Sequence, residues 1–203
     1  MDLEIRTAQA TDVGPIAELM YSSGSDIYDY LYKSKTLDFL RHEFGSGKGF
    51  AGHPHVTVAV QDGEVVGTGC FYDRKNYDRL LKGTIKNMTE FFGYLGVMPV
   101  MLRSRHLKSV MRAPKPGELY LSNFGVSPKC RSQGIGTRMI QHKLSEARQQ
   151  GYEIFGLDVS AANPRGQALY TRLGLKVMKE KTFSNPNAGV NPARKMELAL
   201  MPQ

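Results

Sequence analysis

The second half of the chain alternates strand-like and helix-like segments with almost no slack between them, and this alternation limits the possible folds more than any other feature. Residues 119–126 read as a strand, 137–150 as a helix stopped by Gly151, 154–159 as a strand, and 164–173 as a helix stopped by Gly174. Two further strands, near 175–181 and 194–200, are joined by a turn-rich stretch at 184–192. Upstream, a short strand at 3–5 precedes a helix that Thr11 and Asp12 can cap, with Val13, Ile16, Ala17 and Met20 at i, i+3, i+4 and i+7. A second helix is expected near 36–44, ending in the glycine-rich 45–52, which reads as a mobile loop. Val56, Val58 and Val60 then alternate with Thr57 and Ala59, and Asp62-Gly63 separates them from 64–71. Asp-Gly between two such runs signals a hairpin, because a type I′ turn needs positive φ at both central positions. The order predicts an α/β chain with a mixed central sheet of about seven strands and helices on both faces.

The 203 residues, 41% of them hydrophobic, support one domain over 1–203. No stretch approaches the roughly 20 apolar residues of a membrane span, and the opening residues, with Asp2, Glu4 and Arg6, have no apolar core of secretory type. Cys70 and Cys130 form neither a metal-type spacing nor a disulfide framework. A cytoplasmic protein without a metal is therefore expected. The net charge of +8 is concentrated: residues 73–116 carry ten Lys or Arg against Asp73, Asp78 and Glu90, a balance of +7. Within that segment Leu81, Ile85, Met88 and Phe92 keep a helical rhythm, so it reads as a basic helical insert between the third and fourth strands.

The most informative stretch is 126–137, Val-Ser-Pro-Lys-Cys-Arg-Ser-Gln-Gly-Ile-Gly-Thr, which leaves a strand and opens a helix directly. N–H groups at a helix start have no intrahelical partner and carry the positive end of the helix dipole, so main-chain donors can hold a pyrophosphate there. Gly134 and Gly136 let the backbone approach the oxygens, and Arg131 adds charge. A dinucleotide-binding turn competes, with Asp158 near the place of a ribose-binding acid. The seven residues from Ser127 to Gln133 before the first glycine, and Met139 at the third glycine position, do not fit it.

On these residues the chain resembles the GNAT acetyltransferase family. Arg131-Ser132-Gln133-Gly134-Ile135-Gly136 matches the family's acetyl-CoA signature, and Val126-Ser127-Pro128 the Val-x-Pro before it. Asn163, Tyr170 and Gly174-Leu175 match a second element, with Gly166 and Leu175 departing from its usual Ala and Phe. The resemblance covers about 3–22, 56–72 and 117–181, and 73–116 matches nothing in the family core. It implies that acetyl-CoA is the acyl donor and that the fourth and fifth strands splay. The pantetheine arm would then meet the freed edge near Phe124, Gly125 and Val126, and the phosphates the loop from Arg131 to Thr137, with Asn163 nearby. A backbone N–H on that edge would polarise the thioester carbonyl. Tyr170 is implied as the general acid that protonates the departing thiolate.

The general base is less determined. Glu118 and Tyr120 share one face of the fourth strand by period two, and Glu118 is preferred, with solvated Glu the bland reading. His53, His55 and His106 are not singled out by spacing, and Cys130 reads as a bystander of the loop. The expected activity is transfer of acetyl to a primary amine, on a small molecule or a protein, by direct attack in a ternary complex, the protein being a monomer or homodimer. A non-catalytic CoA-binding sensor would not need Tyr170. A nucleic-acid module built on the insert has no motif to support it, and attachment to a membrane through 91–102 is opposed by Gly93, Gly96 and Pro99, which favour a buried cap. The insert is expected on the acceptor side, where its charge would favour an acidic acceptor over a polyamine.

Overall fold

The computed structural model describes residues 3–200; the outermost residues of the expected 1–203 domain, 1–2 and 201–203, lie outside it. Seven strands form one sheet: β1 (Leu3–Thr7), β2 (Val56–Gln61), β3 (Glu64–Tyr72), β4 (Glu118–Val126), β5 (Ile154–Ser160), β6 (Lys176–Lys181) and β7 (Ala193–Ala199), in the order β1-β2-β3-β4-β5-β7-β6. All neighbours run antiparallel except β4 and β5. The β2–β3 hairpin turns at Asp62 (φ 52°) and Gly63 (φ 82°), the two positive values that a type I′ turn requires.

Helices cover both faces. On one lie α1 (Val13–Ser22), α2 (Ser25–Tyr32) and α3 (Thr36–Ser46), with Ile16, Met20, Leu40 and Phe44 packed on Val56, Val58 and Cys70. On the other, α5 (Ile135–Gln149) and α6 (Pro164–Arg172) bring Ile140, Leu144, Ala147 and Tyr170 onto Phe71, Leu121, Phe155 and Leu157. Gly125 permits the close approach of α1 to β4, since a Cβ there would stand 2.4 Å from the Leu19 carbonyl oxygen.

The insert is a single long helix, α4 (Arg74–Ser104), kinked at Gly93 (φ 71°) and followed by a 3₁₀ turn at Arg105–Ser109. Asp73 caps it, accepting from Asn76 N at 2.9 Å. Its packing against α2 and α3 is aromatic: Phe92 meets Tyr32 at 6.0 Å and Phe39 at 5.6 Å between ring centroids. The expected buried cap is half right. Val97 and Val100 are buried, whereas Tyr94, Leu95, Met98 and Leu102 are exposed. Residues 45–52 do not form the open loop expected of them. Residues 45–46 extend α3, Ala51 and Gly52 are buried, and Phe50 N donates to Thr84 Oγ1 of α4 at 3.1 Å. No described helix is long and apolar enough to cross a membrane.

Candidate active site

Strands β4 and β5 pair only from Glu118↔Ile154 to Leu121↔Leu157 and then separate. The separation begins where Asn123 takes a positive φ of 50° and the β3–β4 register slips. Beyond Leu121 the β5-facing edge of β4 has no strand partner, so its polar groups face the opening. Asn123 is held in this conformation by Tyr28, whose hydroxyl donates to Asn123 Oδ1 at 2.7 Å.

Two hollows meet at this opening. One, of about 780 Å³, is lined by the 130–137 loop, by Phe124–Val126, by the 22–26 segment and by the start of α6. The other, of about 530 Å³, lies on the α1 side of the sheet with Tyr72, Tyr120, Ser122 and Asp158 among its lining and Leu81, Thr84, Ile85 and Met88 of α4 above them. Phe124, Ser160, Asn163 and Tyr170 border both.

In the first hollow Gly134 is the N-cap of α5 at φ 81°, and the first helical bond runs from Arg138 N to Gly134 O. The N–H groups of Ile135, Gly136 and Thr137 therefore have no acceptor among the described residues. Gly136 seats the helix start against Leu169 and Phe124, 3.2 and 3.5 Å from where a Cβ would stand. Arg131 is fixed by Nε donating to Val126 O (3.3 Å), and Ser132 Oγ accepts from Arg165 at 3.2 Å. Arg165 was not singled out in the sequence, although its place directly after Asn163-Pro164 puts it in the first turn of a helix facing the loop. Asn163 Oδ1 accepts from Gly166 N at 2.9 Å, so this side chain is an N-cap as well as part of the lining. Gln133 turns away: its amide reaches back to Lys129 O at 3.4 Å, and it does not line the hollow.

Tyr170 stands between the hollows with its ring 6.3 Å from that of Phe124. Its hydroxyl has no hydrogen-bond partner among the described residues, and burial pushes its pKa well above the ordinary value. The phenol is thus protonated and its proton is uncommitted.

Glu118 does not join the site, and it is not a solvated residue either. It is wholly buried, with Arg112 donating to its two oxygens at 2.7 and 2.5 Å and Lys115 N donating at 2.7 Å. Gly156 makes room for it, since a Cβ there would fall 2.1 Å from Glu118 Oε1. The carboxylate that does line the second hollow from the strands is Asp158, two residues along β5 from Gly156 and therefore on the same face. It accepts from Tyr120 Oη at 2.7 Å and from Lys181 Nζ at 2.8 Å. Asp158 is accordingly placed at the second hollow and not at the 130–137 loop. His53 does not line the cavity, His55 is held near Arg79 (3.3 Å), and His106 meets Ser184 at 2.8 Å. Cys130 borders the first hollow. Among the described residues no group of three or more His, Cys, Asp or Glu is arranged to hold a metal.

Residues 19–175 match the acetyltransferase (GNAT) family. The chain belongs to that family. Over 57 residues it is 35% identical to the [ribosomal protein bS18]-alanine N-acetyltransferase of Escherichia coli, a stretch that covers 28% of this chain and 38% of that enzyme. Its fold is similar to that of an N-acetyltransferase from Staphylococcus aureus Mu50 (TM-score 0.69, 18% identity, 96% of this chain and 100% of that one). It is also similar to YncA of Salmonella typhimurium, solved with its cofactor acetyl-CoA (TM-score 0.58, 17% identity, 99% and 95%). In this family acetyl-CoA is the donor, and the first hollow fits it: free helix-start N–H groups, a glycine at positive φ and Arg131 offer donors and charge to a pyrophosphate.

Proposed function

We propose that the protein is an acetyl-CoA-dependent N-acetyltransferase acting on a primary amine, with donor and acceptor present together in the two hollows and the amine attacking directly. The observation that carries this reading is that Tyr170, whose hydroxyl proton no described group takes, borders both hollows. When bound, acetyl-CoA supplies an activated acetyl thioester. The loop 131–137 holds its phosphates through the N–H groups of Ile135, Gly136 and Thr137, with Arg131 and Arg165 adding positive charge. The unpaired edge of β4 at Phe124–Val126 receives the pantetheine arm, and an N–H on that edge faces the carbonyl oxygen where negative charge develops.

Asp158, oriented by Tyr120 and Lys181, receives the proton that an incoming ammonium must lose before its nitrogen is nucleophilic. Tyr170 gives its proton to the thiolate as the C–S bond breaks, and the second proton, lost by the acylated nitrogen as the amide forms, restores the phenol. Its elevated pKa does not oppose this, because the thiolate forms in the same water-poor space that raises the phenol.

The test is release of free thiol from acetyl-CoA with a panel of amines, with mass spectrometry of the products. An amide product and release that depends on the amine support the reading. Tight acetyl-CoA binding with no amine-dependent release would make the chain a CoA-binding module instead.

A further inference from the structure

The acceptor cavity has an aromatic wall of which these steps use only Tyr120. Its aromatic residues form one continuous surface, with ring centroids 5.4 Å apart from Tyr120 to Tyr72, 4.8 Å from Tyr72 to Phe50 and 5.2 Å from Phe50 to Tyr77. At one end Tyr120 holds Asp158. At the other, Glu43 accepts from Thr84 Oγ1 of α4, and the backbone N–H groups of Phe50, itself bonded to that Oγ1, and Ala51 stabilise its charge.

Glu43 differs from Asp158 in one respect. Asp158 is paired with Lys181, whereas Glu43, only 4% exposed, meets no Lys, Arg or His among the described residues. A carboxylate buried without a counter-charge is costly, and it makes the adjacent space favourable to a cation. Aromatic faces act in the same direction through their quadrupoles. The cations that border the cavity, Arg105 and Lys108, are exposed and lie in or beside the 3₁₀ turn, where solvent and salt screen them. Two further arginines of the insert lie over rings of this surface, Arg112 over Tyr120 at 6.0 Å and Arg74 over Tyr77 at 5.7 Å, but each is paired with a carboxylate of its own, Glu118 and Asp78. The charge left without a partner at the cavity is thus the negative one of Glu43.

Resting on the acetyltransferase reading, we propose that the acceptor is a small molecule with two basic nitrogens joined by an apolar chain. One nitrogen is acetylated beside Asp158, and the other is held as a cation by Glu43 across the Phe50–Tyr72–Tyr120 surface. Glu43 is then a specificity-determining residue of the acceptor site. This reverses the expectation drawn from the charge of the insert, under which such acceptors were disfavoured.

The experiment compares 1,6-diaminohexane with hexylamine, equal in carbon count and differing in the second nitrogen, at pH 8, above the range in which Glu43 keeps its proton. The expected kcat/KM ratio in the wild type is on the order of tenfold or more in favour of the diamine. Glu43→Gln should bring that ratio to about one while leaving the KM for acetyl-CoA unchanged. Because Glu43 also tethers the 50–51 backbone, Tyr77→Leu provides a second variant at the partly exposed edge of the surface, and it should lower the ratio severalfold. Equal kcat/KM for the two amines in the wild type, or an undiminished preference in both variants, overturns the proposal. Should no amine release thiol, the transferase reading fails. Calorimetric binding of 1,6-diaminohexane to the CoA-loaded protein, strong in the wild type and weak in Glu43→Gln, would still support the cation site, and no binding would overturn it.

Discussion

The Tyr120 hydroxyl donates to Asp158 Oδ2 at 2.7 Å, across the two strands at the point where their pairing ends. Tyr120 is wholly within the core, and Asp158 is the residue through which that rigid position is passed to the acceptor cavity. Asp158→Asn keeps the shape and removes the proton acceptor. It is expected to lower kcat with amines by about 10²–10⁴-fold and to leave KM for acetyl-CoA within a factor of about two. Steady-state kinetics at several pH values check this, and a loss confined to acetyl-CoA binding would exclude the role.

Tyr170→Phe removes one hydroxyl that bonds to nothing in the described protein, so stability should change little. Turnover should fall by about 10²–10⁴-fold with intact cofactor binding, the signature of an interaction made only as the thiolate departs. Wild-type kcat in this variant would reduce Tyr170 to a packing residue.

Glu118→Ala is expected to act on folding rather than on chemistry. The substitution leaves Arg112, which also contacts Glu197 at 3.2 Å, partly buried without its bidentate partner. Removing one member of such a pair typically costs about 3–5 kcal/mol. Chemical denaturation should show that loss, while kcat per folded molecule stays near wild type.

The strand and helix order was legible because each segment carries its period and its stops: Gly151, Gly174, Asp62-Gly63 and Asn163-Pro164 fall at element ends in the structure. The 126–137 loop between β4 and α5 was legible for the same reason, as a local motif. The acceptor cavity was not. Its floor comes from β3, β4 and β5, its roof from α4 and its far wall from α3, and no spacing in one segment announces contacts between residues as distant as Glu43 and Thr84. Glu118 was misjudged because alternation gives the face of a strand but not what covers it. Here Arg112, from the end of the insert, covers it. The helix at Ser25–Tyr32 was missed, since three of the five residues it packs, Tyr28, Tyr30 and Tyr32 beside Ile27 and Leu31, are tyrosines that the pattern does not count as core.

Gly134→Val tests the loop. No atom lies within 4 Å of the position a Cβ would take, so the substitution does not clash with the protein; its cost lies in the φ of 81°. A β-branched residue is forced out of that region, which reorients the N–H groups of the helix start. Affinity for acetyl-CoA should fall by at least about tenfold at fixed salt, whereas Gly134→Asn, tolerant of positive φ, should fall less. Equal affinities by calorimetry in all three proteins would show that the loop does not hold the phosphates.

The last prediction concerns pH and Glu43. Burial pushes its carboxyl from 4.5 up to about 7, the largest cause being desolvation, partly offset by Thr84 and the Phe50 and Ala51 N–H groups. The groups that face it, Tyr28, Tyr32 and Cys70, are themselves raised by burial and stay neutral in this range, so none supplies a compensating cation. Between pH 4.5 and about 7 the native protein retains a proton that the unfolded chain has released. Stability from this group is therefore fully present at low pH and is lost as pH rises through that window, by on the order of 3 kcal/mol, becoming level above it. Other carboxylates contribute with the opposite sign, Asp12 beside Arg6 among them, so the quantity to measure is the difference between wild type and Glu43→Gln. Urea denaturation at pH 5 and pH 8 should show the variant gaining on the wild type at the higher pH. A difference independent of pH would place the Glu43 carboxyl in its ordinary range.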